Sequence, residues 1–411
     1  MPEDVTFLIV GAGLAGATAA ESLREEGFDG RIVLIGEETE RPYERPPLSK
    51  GYLLGTAERD TIYVHPESWY AEHDVDLRLG TTVAGIDPTG HQATLADGTR
   101  LGYTKLLLAT GSSPRRLGVP GADQDGVLYL RRAQDSDQIK QTLQSASRVA
   151  VVGGGWIGLE VTAAARAAGV EVTLLEAARL PLLAVLGPEL AEVFAGLHRE
   201  HGVDARFGAQ VAEITGAAGR ADGVRLADGA RIAADAVIVG IGIAPNTRLA
   251  GAAGLKVDNG VLVDAQLRSS DPDTYAAGDV ANAFHPLLGR SIRVEHWANA
   301  LNQPKVAATS MLGRDVAYDR VPYFFTDQYD LGMEYSGYVE PGAYDQVVFR
   351  GDVAGREFVA FWLAGGRVLA GMNVNVWDVT DPIRALVRSG RGVDAAALAD
   401  PAIPLEELAG D

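Results

Sequence analysis

The feature of this sequence that most constrains its fold is a succession of strand, glycine-rich loop, helix and strand that occurs twice. In the first copy the apolar segment 7–10 runs into the loop 11–16 (GAGLAG), an alanine-rich stretch extends to residue 23, and a second apolar segment covers 31–35. In the second copy the corresponding parts are 148–152, the loop 153–158 (GGGWIG), a helical stretch to residue 168, and 172–176. This order is typical of the βαβ unit that binds a dinucleotide, so two copies predict two nucleotides.

We call residues 11–16 the first glycine loop and residues 153–158 the second glycine loop. In such loops the glycines allow a tight turn, a close approach of backbone N–H groups to a pyrophosphate, and close packing of helix on strand. The N-terminus of the helix that follows adds positive partial charge. Both loops are therefore predicted to hold the phosphates of a nucleotide.

An acidic residue follows the second strand of each copy. Glu37 and Glu176 stand where a carboxylate can accept hydrogen bonds from ribose hydroxyls. A carboxylate at Glu176 accommodates a free 2′-hydroxyl and repels a 2′-phosphate, which favours NADH over NADPH unless Arg179 swings in to compensate.

The rest of the chain predicts how these units are joined. Strands at 106–111 and 236–242 are interpreted as crossings between domains. A strand that begins at 274 returns to the first domain and ends at Gly278, which permits close backbone approach, and Asp279, which can accept from a polyol chain. A helix is predicted from 298 to about 312. Short strands at 346–349, 358–362 and 368–371, separated by glycine-rich turns, predict an antiparallel meander.

Composition excludes several function classes. The 411 residues include no cysteine, which removes disulfides, thiolate nucleophiles and iron–sulfur ligation, and we expect no metal site. A net charge of -19 counts against nucleic acid or an anionic membrane as the main partner. No uncharged run is long enough to span a bilayer, and the polar start 1–4 shows no signal peptide, so we expect a cytoplasmic enzyme.

With these motifs in place, the chain resembles the oxygenase-coupled NADH-dependent ferredoxin reductases. The resemblance is carried by the order of the glycine loops, by 41–50 (RPYERPPLSK), by 109–111 (ATG), 240–246 (GIGIAPN) and 278–279 (GD), and by the meander; it covers essentially the whole chain. These enzymes belong with rubredoxin reductases and apoptosis-inducing factor to the glutathione-reductase-like flavoproteins. The resemblance implies an α/β protein with two Rossmann-like domains, the NAD domain inserted in the FAD domain, followed by a C-terminal α+β domain. The expected segments are 1–110 and 245–319 for FAD, 111–244 for NAD and 320–411 for the C-terminal domain.

The same resemblance implies the reaction. Hydride passes from NADH to N5 of bound FAD, and single electrons then pass to a [2Fe-2S] ferredoxin or a rubredoxin that feeds a cytochrome P450 or a ring-hydroxylating oxygenase. A flavin is suited to this conversion because it is stable in three redox states. The expected oligomeric state is a monomer or homodimer.

It also implies the residues of the site. Lys50 is expected to tune the flavin near N5 and to pair with Glu160, where nicotinamide stacks. Phe325 lies in 322–328 (PYFFTDQ), where the family often reads PWFWSDQ, so an aromatic face is kept while the larger indole and its N–H are lost. The expected cofactor contacts are Gly11, Gly13, Leu14, Ala15, Gly16, Glu37, Arg45, Lys50, Val83, Ala109, Thr110, Gly111, Arg131, Gly153, Gly155, Trp156, Ile157, Gly158, Glu160, Glu176, Gly242, Gly278, Asp279, Glu295, His296, Trp297 and Phe325.

Two alternatives use the same scaffold. A redox-sensing flavoprotein similar to apoptosis-inducing factor would use flavin reduction to switch its assembly. A reductase of the monodehydroascorbate type needs no obligatory thiol. Relatives that reduce oxygen, peroxide or a disulfide use a catalytic cysteine, which this chain lacks.

Overall fold

The computed structural model describes residues 5–409, and it divides them into two compact units. The first unit comprises residues 5–44, 59–113 and 243–322; the second comprises 45–58, 114–242 and 323–409. The polar start 1–4, on which the expectation about a signal peptide rests, lies outside the described residues. Within 5–409 no helix combines the length and apolar character needed to cross a bilayer.

The first unit is built on a five-stranded parallel sheet. Its strands, in spatial order, are Thr274–Ala276, Lys105–Leu108, Thr6–Val10, Arg31–Ile35 and Val75–Arg78. Val10 lies opposite Ile35 on one side and Leu108 on the other, so the carboxyl ends of these strands meet at one edge. The strands are almost continuously apolar because a parallel sheet is covered on both faces.

Helices and smaller sheets complete the first unit. Helix Leu14–Glu25 packs against helix Trp297–Met311. The further helices are Glu67–Glu72 and Arg248–Ala252, with 3-10 turns Arg59–Ile62 and Gly278–Val280. Two three-stranded sheets contain Val83–Asp87, Gln92–Leu95 and Arg100–Gly102, and Val261–Val263, Ala281–His285 and Arg290–Ile292. Short strands Ser112–Pro114 and Ile243–Pro245 lie where the chain passes between units.

The second unit repeats the parallel design. Its sheet has the spatial order Asp204–Phe207, Glu171–Glu176, Arg148–Val152, Ala236–Val239 and Val127–Tyr129. The helices of this part are Gly51–Leu54, Ala133–Ser145, Trp156–Ala167, Leu183–Leu186 and Pro188–Glu200, with a 3-10 turn Pro46–Ser49. A three-stranded antiparallel sheet contains Val211–Ala217, Arg220–Leu226 and Arg231–Ala233.

The end of the second unit is an antiparallel sheet with helices. Its strands, in spatial order, are Tyr323–Gln328, Leu331–Gly337, Arg367–Val374, Glu357–Ala364 and Gln346–Asp352. Helices Thr380–Ser389, Ala395–Ala399 and Leu405–Ala409 follow. The fully buried Trp362 donates from Nε1 to the carbonyl oxygen of Leu186 at 3.0 Å, which ties this sheet to the parallel part of the unit.

The structure confirms the predicted fold class, with two Rossmann-like cores and a C-terminal antiparallel sheet. The helix predicted at 298–312 is Trp297–Met311, and the three meander strands are each three or four residues longer than the predicted segments. The domain limits at 110, 244 and 319 stay a prediction.

Candidate active site and nucleotide-binding loops

The three glycines of the first glycine loop have different surroundings. Gly11 has a φ of 116°, and a Cβ built on it would lie 2.1 Å from the carbonyl oxygen of Ala109. A Cβ on Gly16 would lie 2.0 Å from the carbonyl oxygen of Gly11, whereas a Cβ on Gly13 would meet nothing within 4 Å. Gly11 and Gly16 are therefore required by packing, and Gly13 faces the open space into which a pyrophosphate fits.

The second glycine loop shows the same division. A Cβ on Gly153, whose φ is 106°, would lie 2.3 Å from the carbonyl oxygen of Gly240, and one on Gly158 would lie 2.0 Å from that of Gly153. At Gly155 the nearest atom would be 4.0 Å away. Gly13 and Gly155 are also the N-cap residues of their helices, and neither has a side chain that could occupy the first-turn amides. Both loops thus fit a dinucleotide phosphate.

Other predicted residues follow strands of the first parallel sheet at the edge that carries the first glycine loop. Glu37 follows Arg31–Ile35, the segment 109–111 follows Lys105–Leu108, and 278–279 follows Thr274–Ala276. A Cβ on Gly278, whose φ is 79°, would lie 3.2 Å from Cβ of Ala15, and the amide of Gly278 donates to Gln303 Oε1 at 2.9 Å. One edge therefore collects groups suited to a phosphate, a ribose and a polyol chain.

Three predicted contacts lie at the start of helix Trp297–Met311: Glu295 and His296 directly precede it, and Trp297 is its first residue. Burial lowers the pKa of His296 to about 4, although the charge of Asp279 raises it, so His296 is neutral near pH 7. Glu295 accepts from Arg293 at 2.6 Å. Val83, by contrast, begins a strand of a separate antiparallel sheet and is a buried core residue there.

Glu176 holds the second glycine loop directly. Its Oε2 accepts from the amide of Gly154 at 2.6 Å, and its Oε1 accepts from the amide of Ala178 at 2.7 Å. The carboxylate therefore stands at the loop, where the motif places the adenosine ribose. Gly242 and Arg131 follow strands Ala236–Val239 and Val127–Tyr129 at the same edge.

Neighbouring residues of the second glycine loop have opposite surroundings. The indole of Trp156 packs against Phe194 and Phe324, with ring centroids 5.5 and 5.1 Å apart. Ile157 is 43% exposed. The structure thus packs the partly buried Trp156 against the core and leaves Ile157 at the surface, beside the open loop.

Lys50 and Glu160 meet inside the second unit. Lys50 Nζ donates to Glu160 Oε1 at 2.6 Å, and Glu160 is only 4% exposed. The ring of Phe325 lies 5.3 Å from Lys50 Nζ, a cation–π distance. Arg45, from the same proline-rich segment, donates to the backbone carbonyl of Arg131.

The buried carboxylate of Glu160 has two further donors that the sequence did not indicate. Ser49 Oγ donates to Glu160 Oε2 at 2.5 Å, and Thr326 Oγ1 donates to Oε1 at 2.6 Å. A buried carboxylate is tolerated when it is paired and hydrogen-bonded, and Glu160 satisfies both conditions. The arrangement holds an ammonium group and a carboxylate in fixed positions beside the second glycine loop.

Taken together, two parallel sheets that each carry a glycine loop, followed by an antiparallel C-terminal sheet, define an oxidoreductase that uses two nucleotides. The model of the pyridine nucleotide-disulphide oxidoreductase family matches residues 5–304, and that of the reductase C-terminal domain matches 323–409. The chain belongs to the pyridine nucleotide-disulphide oxidoreductase family, whose members bind FAD. Because it contains no cysteine, it cannot form the redox disulphide of the family's name.

Relatives of similar length narrow the comparison. The chain is 45% identical to the 5,5′-dehydrodivanillate O-demethylase ferredoxin reductase subunit of Sphingobium sp., over 98% of this chain and 97% of the relative. It is 43% identical to the anthranilate 1,2-dioxygenase system ferredoxin–NAD(+) reductase component of Burkholderia cepacia, over 97% and 98%. The reductase in the crystal structure of the covalent putidaredoxin reductase–putidaredoxin complex superposes with a TM-score of 0.95 at 38% identity, covering 98% of each chain. These findings confirm the resemblance inferred from the sequence.

Proposed function

We propose that this chain is an NADH-dependent ferredoxin reductase, which takes two electrons from NADH and passes them singly to a small iron–sulfur protein. When bound, FAD supplies the conversion between two-electron and one-electron chemistry. The observation that carries the proposal is the ion pair between Lys50 and the buried Glu160 beside the second glycine loop, in a chain whose full length matches ferredoxin reductases.

In this proposal each predicted group has a defined task. The first glycine loop binds the pyrophosphate of FAD, Glu37 accepts from its ribose, and Asp279 accepts from its polyol chain. The second glycine loop binds NADH, and Glu176 selects the free 2′-hydroxyl. Lys50 presents a positive charge to the redox site, and Glu160 holds that ammonium in place. Arg45, Arg131 and the other predicted contacts are part of the same proposal.

The partner is proposed to be a [2Fe-2S] ferredoxin or a rubredoxin that feeds a cytochrome P450 or a ring-hydroxylating oxygenase. The named systems of the relatives support this class, since they include an O-demethylase, a dioxygenase and a complex with putidaredoxin. A cytoplasmic location follows from the proposed use of NADH as the electron donor. A monomer or homodimer would serve the reaction equally.

The test begins with the visible spectrum of the purified protein, which should show bound flavin. Stopped-flow mixing with NADH should bleach it rapidly, and mixing with NADPH should bleach it more slowly. Reduction of cytochrome c should then require an added ferredoxin, with the reaction lacking ferredoxin as the control.

Other outcomes would contradict the proposal. A colourless protein that takes up no flavin on soaking would overturn it. Slow bleaching together with a changed oligomeric state would favour the redox sensor. Rapid turnover with the ascorbate radical, together with no turnover with any of the ferredoxins tried, would favour the monodehydroascorbate type.

A further inference from the structure

A continuous chain of buried side-chain hydrogen bonds runs from Glu160 to Tyr329. Gln328 Nε2 donates to Thr326 Oγ1 at 3.3 Å, and Thr326 in turn donates to Glu160. His198 Nε2 lies 2.9 Å from Gln328 Oε1, and the hydroxyl of Tyr329 lies 3.1 Å from His198 Nδ1. We call this set, Glu160, Thr326, Gln328, His198 and Tyr329, the polar chain.

The polar chain is shielded from water except at its last member. His198 is 0% exposed, and Thr326 and Gln328 are each 1% exposed. A buried polar side chain that loses its partner is costly, so each bond in the polar chain constrains the next. His198, in the last turns of helix Pro188–Glu200, is thereby connected to the strand that carries Thr326.

The chemistry of the carboxylate sets the direction of every bond. A carboxylate paired with an ammonium group only accepts, so Thr326 must donate to Glu160. The hydroxyl oxygen of Thr326 then accepts from the amide nitrogen of Gln328, and the amide oxygen of Gln328 accepts from N–H at His198 Nε2. His198 Nδ1 is left as the acceptor for the hydroxyl of Tyr329.

The protonation states of the two distal groups agree with this direction. Burial lowers the pKa of His198 to about 4, the bond to Gln328 raises it and the neighbouring His201 lowers it, so the ring is neutral near pH 7 and has one donor and one acceptor. Burial raises the pKa of Tyr329, although Arg166 lowers it, so its hydroxyl remains a donor.

We propose that His198 is a positioning residue for Glu160: through Gln328 and Thr326 it fixes the hydrogen bond that holds the carboxylate facing Lys50. His198 does not contact the reacting groups and acts only through the polar chain. The kinetic part of this inference rests on the proposed function, whereas the direction of the bonds does not.

The direction is tested first in cofactor-free protein labelled with ¹⁵N-histidine. We expect the His198 resonances, identified by their loss in His198→Gln, to show a proton on Nε2 and none on Nδ1 near pH 7. Glu160→Gln gives the end of the polar chain a donor, so it should move these resonances and leave those of His65 in place. In a Thr326→Val background the chain is cut, and Glu160→Gln should then have no effect on His198.

The kinetic test uses the holoenzyme. His198→Leu should slow reduction of the flavin by NADH at least about threefold, and should have no further effect in a Glu160→Gln background. His198→Gln places an amide donor near the position of Nε2 and should recover most of the rate. His201→Phe is the matched control, because His201 stacks on Tyr329 with ring centroids 3.7 Å apart and lies outside the polar chain.

Three results would overturn the inference. They are a proton on Nδ1 of His198, His198 resonances that are unchanged by Glu160→Gln, and equal losses from His198→Leu with and without the carboxylate. If NADH fails to reduce the flavin of the unaltered protein, the proposed function fails, while the tautomer measurement still decides the positioning role.

Discussion

Replacing single glycines of the second glycine loop by alanine should separate folding from nucleotide binding. A Cβ at Gly158 would lie 2.0 Å from the carbonyl oxygen of Gly153, so the backbone itself must shift. A Cβ at Gly155 would lie 4.0 Å from its nearest neighbour, so the folded chain has room for it. The space at Gly155 is where the pyrophosphate is expected to approach the backbone.

The expected change in stability of each variant is the difference between a stabilising and a destabilising contribution. Gly158 lies in the first turn of helix Trp156–Ala167, where alanine would gain about 1 kcal/mol in helix propensity, but forcing a methyl against backbone costs about 3 kcal/mol. Gly158→Ala should therefore lower the free energy of unfolding by about 2 kcal/mol. At Gly155 alanine lowers the conformational entropy of the unfolded chain, which stabilises the fold by about 0.7 kcal/mol and offsets the poorer N-cap. Its stability should change little, whereas loss of one charge-assisted bond should weaken NADH binding about tenfold to 100-fold.

Urea unfolding of the cofactor-free proteins and calorimetric titration with NADH measure the two effects separately. Gly158→Ala should shift the unfolding midpoint downwards, and Gly155→Ala should leave the midpoint near that of the unaltered protein while raising the Kd. The reasoning would be refuted if Gly155→Ala lost as much stability as Gly158→Ala and bound NADH normally.

Three further predictions concern charged and titrating groups. Lys50→Met leaves the buried carboxylate of Glu160 without its cation, although two hydroxyl donors remain, so the free energy of unfolding in urea should fall by about 3 kcal/mol. Adding Glu160→Gln should restore most of this loss. An equal loss in the double variant would contradict the pairing. Glu176→Gln removes the charge that repels a 2′-phosphate, so the ratio of kcat/KM for NADH over NADPH should fall at least about tenfold. An unaltered ratio would show that Glu176 does not discriminate between the two nucleotides. The pKa of His198 is lowered from 6.5 in the unfolded chain to about 4 in the folded protein, so the unfolded chain binds the proton preferentially. About 3 kcal/mol of stability should therefore be lost as the pH falls from 6.5 to 4. Unfolding midpoints measured across that range should fall less steeply in His198→Gln, and parallel curves for the two proteins would show that His198 does not cause the pH dependence.

The glycine loops could be predicted from the sequence because their constraints are local. Each strand, loop and helix occupies consecutive residues, and the requirement for glycine at Gly16 and Gly158 comes from backbone atoms of the loop itself. The strand limits at 31–35 and 148–152 were predicted to the residue for the same reason. The position of Glu176 follows as well, since it ends the second strand of its unit.

Thr326 could not be predicted in this way as a donor to Glu160, because its inward position runs against hydrophobic alternation. In strand Tyr323–Gln328 the buried residues alternate as Phe324, Thr326 and Gln328, and two of these three are polar. A pattern search for apolar residues therefore has no means of recognising this face as inward.

The contact between helix Trp156–Ala167 and strand Tyr323–Gln328 explains why polar residues occupy that face. Trp156 and Glu160 are one helical turn apart, about 6 Å along the axis, and they meet Phe324 and Thr326, which are two strand residues apart, about 6.8 Å. Because the spacing along the helix is close to the spacing along the strand, packing of Trp156 on Phe324 brings Thr326 to Glu160. The aromatic contact thereby fixes the register that the carboxylate requires. A shift of the strand by one residue would turn the hydroxyl of Thr326 away and leave Glu160 with two donors instead of three.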